Sequence, residues 1–437
     1  MKNELKRLHN LSIPIYVSYM VGVAFTYADN VIIGRYDTEG YAIVTILNTV
    51  MYYIIGSIGT FSLAITLLGA KHLEEKDYKR YQSIFNTSSL IGIVISLAFV
   101  VAVVLFGESI LIHVFSIKSS VLDDAYTFAL LLAFCVPLNM MIFSLSSYFK
   151  ASEQPAILAK SSLVSSITNL FFNYVLVFGK LGFPQLGIVG IAVGSLIALG
   201  VNLSIYVFAF LQQSNVSIRI EFKTSEAKRV IKTFAILFMQ DLFEFTIFYL
   251  LVLSAIAQLG SISAATYGLL NATCLLITMY AFSYGNALMV ISRKLNDYKA
   301  VTKYTLVCSA CFIAAWCGFT ILMTLDDVTL SVISDDEQVI NNSVRYFLLF
   351  SCCQLVVGIA TIVRYALNGL GADKFVLKAC MFVCPSLGVV IYGLTTIYQI
   401  GFSDVLSLVL LTYLALTITF VLKLVKLAKA TLACSIG

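Results

Sequence analysis

The sequence predicts an all-α polytopic membrane protein with twelve transmembrane helices in two pseudo-symmetric six-helix lobes. Three observations predict it. Hydrophobic residues make up 60% of the 437 and charged ones only 12%, so the charges are confined between long apolar runs and mean hydropathy is strongly positive. Twelve such runs are present, at about 11–34, 41–70, 83–106, 123–149, 156–179, 187–211, 230–258, 262–292, 302–324, 340–370, 376–399 and 403–428. Each is long enough at about 1.5 Å per residue to cross a hydrocarbon layer of roughly 30 Å. Finally, the two halves of the chain echo one another. Asp77-Tyr78-Lys79 returns as Asp297-Tyr298-Lys299, and ASEQPAILAK at Ala151–Lys160 is echoed by GLGADKFVLK at Gly369–Lys378. Two matches near one offset, at equivalent places in a twelve-helix scheme, mark an internal repeat.

The repeat predicts a first lobe at 1–211, a cytoplasmic linker at 212–231 and a second lobe at 232–437. Six helices per half gives both halves one orientation, with a pseudo-twofold axis along the membrane normal and a substrate cleft between them.

The first helix carries one acid, Asp29, beside Asn30. An Asp near a helix centre costs about 2.5–3.5 kcal/mol on insertion scales, so an intramembrane carboxylate marks a functional site by default. The alternative is that Asp29 reaches the outer headgroups. The stretch is too long for a signal-peptide core and no small-residue cleavage site follows it, so it is expected to stay.

Basic residues orient the chain, because short cytoplasmic loops retain them. The amino terminus, the even-numbered connections and the carboxyl tail hold 23 of the 28 Lys and Arg, including Lys76, Lys79, Lys150, Lys223 and Lys299. The opposite loops carry Asp123, Asp124, Asp326, Asp327, Asp335 and Asp336. Both termini are therefore expected in the cytoplasm. The net charge of +5 reads as a topology signal rather than a nucleic-acid patch.

Helix five carries Asn169 and Asn173, four apart and so on one face. Asn173 lies at nearly the depth of Asp29. One carboxylate and two amides suit a small pocket for Na⁺, or one that rearranges when Asp29 takes a proton. Bridging between helices is the other reading of these amides. Helix seven holds Asp241 and Glu244, three apart, where two close carboxylates cannot both ionise cheaply; that suits proton exchange or a cationic ligand. Asp241 reads equally well as a solvated vestibule residue. Arg364 lies about two turns from the cytoplasmic end of helix ten, which points to snorkelling, the alternative being an ion pair with Asp241.

Nine cysteines fall in apolar runs and Cys434 in the tail, so no disulfide is implied. Cys308 and Cys311 have CxxC spacing but no further ligands beside them, and read as core. His9, His72 and His113 read as terminal or loop residues, which leaves zinc and Ser-His chemistries without their central residue. Tyr52, Tyr53, Tyr280, Tyr284, Met140 and Met141 suit either a cleft lining or packing.

With these residues in view, the chain resembles the multidrug and toxic compound extrusion (MATE) family. The carriers are Pro14 followed by YADNVIIG, the stretch NLFFNYVLVFGKLGFPQLGIVGIAVGS at Asn169–Ser195, and FEFTIF at Phe243–Phe248. The resemblance implies a two-lobe secondary exporter of amphipathic, often cationic compounds, driven by antiport with H⁺ or Na⁺. It implies no cofactor and no enzymatic activity, a monomer in the plasma (inner) membrane, and as partners an amphipathic small molecule and the lipid bilayer. Asp29, Asn169, Asn173 and Ser195 match its cation-coupling site, with Na⁺ possible at the first three, and Glu244 matches the carboxylate of the second lobe. Pro14 matches the proline where helix one bends. Some members have Asp at the Asn173 position, and some have an acid in helix ten where this chain reads QLVVGIATIV. A flippase for a lipid-linked saccharide, or an exporter of an endogenous peptide or metabolite, is the rival; a flippase is expected to line its cavity with basic residues, whereas the buried charges here are mainly acidic.

Overall fold

The computed structural model describes the backbone of residues 2–34, 38–113, 115, 117, 121–213, 216–217, 222–295, 297–325 and 337–436. Within its helices the side chains of 2–5, 25–31, 33–34, 38–43, 45–46, 49, 52–53, 213 and 430–436 lie outside the description. Asp29, Tyr52 and Tyr53 are among these, and Arg35, Arg219, Asp326, Asp327, Asp335 and Asp336 fall outside the described residues altogether.

Twelve long helices form the described chain. They are α1 Lys2–Gly34, α2 Thr38–Glu74, α3 Tyr78–His113, α4 Leu122–Ala151, α5 Ala156–Phe178 and α6 Ile188–Gln213. The second set is α7 Thr224–Gln258, α8 Ser261–Leu295, α9 Tyr298–Leu325, α10 Glu337–Gly369, α11 Asp373–Tyr398 and α12 Phe402–Ile436. Among the described residues, eleven stretches are long and apolar enough to cross a membrane. Most helices run past their apolar stretches, as α3 does at both ends of 83–106, because amphipathic turns continue the hydrogen-bond ladder into the headgroup layer. The outside is apolar: Leu105, Phe106, Phe208, Leu322, Phe382 and Leu422 are all exposed. In water that surface would aggregate; in lipid it is solvated. The protein is an integral multi-pass membrane protein.

The caps carry the repeat. At the end of α4, Ser152, Glu153 and Gln154 donate their backbone N–H groups to Tyr148, Lys150 and Phe149 at 2.8, 3.2 and 2.7 Å. Exactly the same three bonds recur 218 positions later, from Leu370, Gly371 and Ala372 to Ala366, Asn368 and Leu367 at 3.0, 3.0 and 2.9 Å. Glu153 and Gly371 both take the left-handed conformation, with φ of 62° and 80°. At the start of α3 and α9, Asp77 and Asp297 cap the helix: their carboxylate oxygens accept from the amides of Arg80 and Ala300 at 3.2 and 3.3 Å.

By backbone proximity the chain divides into Val17–Phe234 and a second unit of Ala235–Gly437 together with Met1–Tyr16. The first unit packs Phe128, Val177, Ile188 and Ile191 in one cluster, and Phe61, Ile84, Met140 and Val230 in another. The second packs Tyr284, Phe312, Phe350, Val363 and Phe420, with Leu8 and Leu11 of α1 among them. Thus α1 changes unit just after Pro14, and α7 does so between Phe234 and Ala235.

Candidate functional site

In the first unit a polar ladder joins α5 to α6. Ser165, Asn169 and Asn173 fall four apart, so successive turns of α5 present them to the same neighbour. Ser165 Oγ donates to the Ala198 carbonyl at 2.9 Å, Asn169 Nδ2 to Ser195 Oγ at 3.2 Å, and Asn173 Nδ2 to Asn169 Oδ1 at 3.2 Å. Asn173 is fully buried. Its position depends on Gly194, where an added Cβ would fall on Asn173 Oδ1; at Gly190 one would come within 2.9 Å of the Leu176 backbone. Small residues four apart on α6 let the two backbones close in, as in GxxxG packing. The connection is pinned by Gly179 at φ 64° and by the Leu186 amide bonded to the Leu176 carbonyl at 2.8 Å. So Asn169 lies hydrogen-bonded to both Asn173 and Ser195.

The same unit ties α1 to α5. Ser18 Oγ and Ser162 Oγ are 2.6 Å apart. Asp29 is further along α1, in the helical backbone, with its side chain outside the description.

In the second unit a different ladder joins α7 to α10. Gln240 and Asn368 exchange two amide hydrogen bonds, at 3.3 and 3.0 Å, and Gln240 also donates to the Asp373 carbonyl at 2.8 Å. One turn on, Arg364 Nη1 donates to Glu244 Oε2 at 2.8 Å, and Cys380 Sγ–H donates to the same oxygen at 3.4 Å. Both members of the pair are buried, Glu244 completely. The guanidinium lies over the rings of Phe245 and Tyr365, 4.9 and 5.3 Å from their centroids.

Two expectations change here. Arg364 does not snorkel: it is buried and paired, and its partner is Glu244 rather than Asp241. The two acids also differ in setting, because the helix widens to a π turn over Leu242–Ile247, with the Phe248 amide reaching the Phe243 carbonyl. A wider turn rotates each residue less than the α-helix does, so Glu244 swings away from the face it would share with Asp241. Asp241 stays part-exposed and, among the described residues, takes no hydrogen bond or ion pair.

Gln240, Asn368 and Cys380 escaped the sequence reading, although Gln240 precedes Glu244 by four and Asn368 follows Arg364 by four. Lys150, expected in a cytoplasmic connection, is placed differently. Rather than standing in a loop, it ends α4 buried, with Nζ 3.4 Å from Ser62 Oγ, and Ser62 is 3.2 Å from Ser146 Oγ. His9, close to the amino terminus as expected, lies within α1, with Nδ1 2.5 Å from Tyr284 Oη. Tyr284 stacks on Tyr280 at 4.4 Å between centroids, and Tyr16 meets Tyr280 edge-on. Met140 and Cys308 are core residues.

Residues 14–175 match the MatE family model. The probable multidrug resistance protein NorM of Photorhabdus laumondii is 27% identical over 63% of this chain, which spans 61% of that protein's length. The multidrug resistance protein NorM of Aliivibrio fischeri is 21% identical over 92% of this chain and 88% of its own. A solved outward-facing multidrug resistance MATE family transporter of the MOP superfamily superimposes with a TM-score of 0.88 at 13% identity, over 98% of this chain and 96% of that one. At that identity the likeness is one of fold.

Proposed function

We propose that this chain, which belongs to the MATE family, is a secondary active exporter of amphipathic, often cationic compounds, driven by antiport with H⁺ or Na⁺. The names of the two NorM relatives support the multidrug range. The observation that carries the coupling is the register of α1 against the α5–α6 ladder. Asp29 lies eleven residues beyond Ser18, and Asn173 eleven beyond its partner Ser162. With both helices running outward, each position sits about 16 Å past the serine pair, so the Asp29 backbone is level with Asn173. Asp29 is the group that changes charge. Asn169, Asn173 and Ser195 ligate the ion or orient the carboxylate without titrating.

Transport is by alternating access. The outward-open state takes H⁺ or Na⁺ at Asp29, the inward-open state takes the drug, and competition between them couples the two. Each inward charge supplies about 2.3 kcal/mol per 100 mV, enough for a substrate gradient of roughly fiftyfold. Pro14 removes one backbone hydrogen bond from α1 just before that helix changes unit, which gives it a bending point. The protein is a transporter rather than an enzyme. It needs no cofactor and works as a monomer in the plasma membrane with both termini in the cytoplasm. A flippase of a lipid-linked saccharide would need basic groups free to hold pyrophosphate, and Arg364 is tied to Glu244.

The test is uptake of ethidium into inside-out vesicles under separately imposed pH and Na⁺ gradients. Wild type is expected to accumulate the dye under one of them, and Asp29→Asn to lose that accumulation while keeping equilibrium binding. Accumulation by wild type without any ion gradient would contradict the reading.

A further inference from the structure

Three charged side chains of the second unit, Asp241, Glu244 and Arg364, interact electrostatically. Their roles are not alike. Glu244 has given one oxygen to the guanidinium and the Cys380 thiol, and it is fully buried. The pair sums to zero charge, so from a distance it acts as a small dipole. Arg364 also lies over the faces of Phe245 and Tyr365, aromatic surfaces of the kind that attract a cation. A cationic ligand seeking Glu244 would have to displace an arginine held by a carboxylate and two rings. Asp241 has no such partner among the described residues and keeps part of its surface exposed. The π turn marks the difference: Glu244 lies inside it and is buried, whereas Asp241 immediately precedes it and is part-exposed.

We infer that Arg364 is a built-in counter-cation that silences Glu244, and that Asp241 is the residue through which this half of the protein favours cationic substrates. The inference rests on the exporter reading for the existence of a substrate, and adds to it the residue that sets charge preference. It also reverses the role that the family resemblance gives to Glu244.

The experiment is equilibrium binding of ethidium, a permanent cation, and of its neutral reduced form dihydroethidium to the purified full-length chain. The ratio of the two affinities is the readout. Asp241→Asn is expected to lower that ratio by about tenfold or more, since a part-desolvated charge within a few ångströms is worth at least that much. A Glu244→Gln/Arg364→Met double variant removes a pair of zero net charge and is expected to keep the wild-type ratio within about twofold. Arg364→Met alone exposes the carboxylate and is expected to raise the ratio; if that variant does not fold, the double variant still decides. A double variant that loses cation preference as Asp241→Asn does, or an Asp241→Asn that keeps it, overturns the inference while leaving export intact. Wild type that binds neither dye would count against the exporter reading as well.

Discussion

The last turns of α4 and α10 occupy the same place in the repeat and end in the same three backbone hydrogen bonds, yet they carry different chemistry. Ser146 and Lys150 in the first half stand where Arg364 and Asn368 stand in the second. The cation of the second half has a carboxylate for a partner, and its amide has another amide. Among the described residues, the cation of the first half has the Ser62 hydroxyl for a partner and no carboxylate. The polar layers differ as well. In the first half the amides lie on α5 against α6, whereas the positions 218 beyond Asn169 and Asn173 are Leu387 and Ile391. The comparison teaches that a repeat preserves helices and caps, which the backbone must satisfy everywhere, and leaves the polar site free to settle in a different layer of each half.

The largest effect that would sharpen this contrast is on the buried pair. Glu244→Gln strands Arg364 without a counter-charge and is expected to cost about 3–5 kcal/mol of stability. The Glu244→Gln/Arg364→Met double variant should recover most of it, as followed by thermal unfolding in detergent. Equal destabilisation by both would mean that the pair is not the unit it looks to be. Next comes Gly194→Ala. Its methyl group falls on Asn173, so it should cost about 1–3 kcal/mol and lower transport together with stability. Asn169→Ala removes one rung of the same ladder and should weaken ion-coupled export by an amount equivalent to about 1–3 kcal/mol, measured as the shift in ion concentration for half-maximal transport. The smallest effect concerns the shared cap. Glu153→Gly gives the first half the residue that the second already has, and should stabilise by about 1 kcal/mol in the same unfolding assay. A destabilised Glu153→Gly would break the equivalence of the two caps.

The helices, their number and the repeat were legible because each rests on a signal the backbone enforces: apolar runs the length of a bilayer, and cap residues at fixed offsets. The meeting of Asn169 with Asn173 was legible for the same reason, since a spacing of four decides which face they share. The fate of Arg364 was not. Snorkelling follows from distance along one helix, while the partner that holds Arg364 lies 120 residues earlier in the chain. Nor does the spacing of Asp241 and Glu244 reveal a π turn, because the pattern of three presumes 3.6 residues per turn throughout. Nor is the burial of Lys150 legible, because the distribution of basic residues tells which side of the membrane a segment faces and not how deeply a residue is buried.

The central claim is that the coupling ion is carried in the first half and that the charge pair of the second half is closed to it. Substrate-driven release of H⁺ or Na⁺ from proteoliposomes, compared in Asp29→Asn and in the Glu244→Gln/Arg364→Met double variant, tests it most directly. The account predicts that Asp29→Asn binds substrate but releases no ion, while the double variant releases ions with the wild-type stoichiometry. Normal release by Asp29→Asn, together with loss of release in the double variant, would contradict it and move the coupling site to α7.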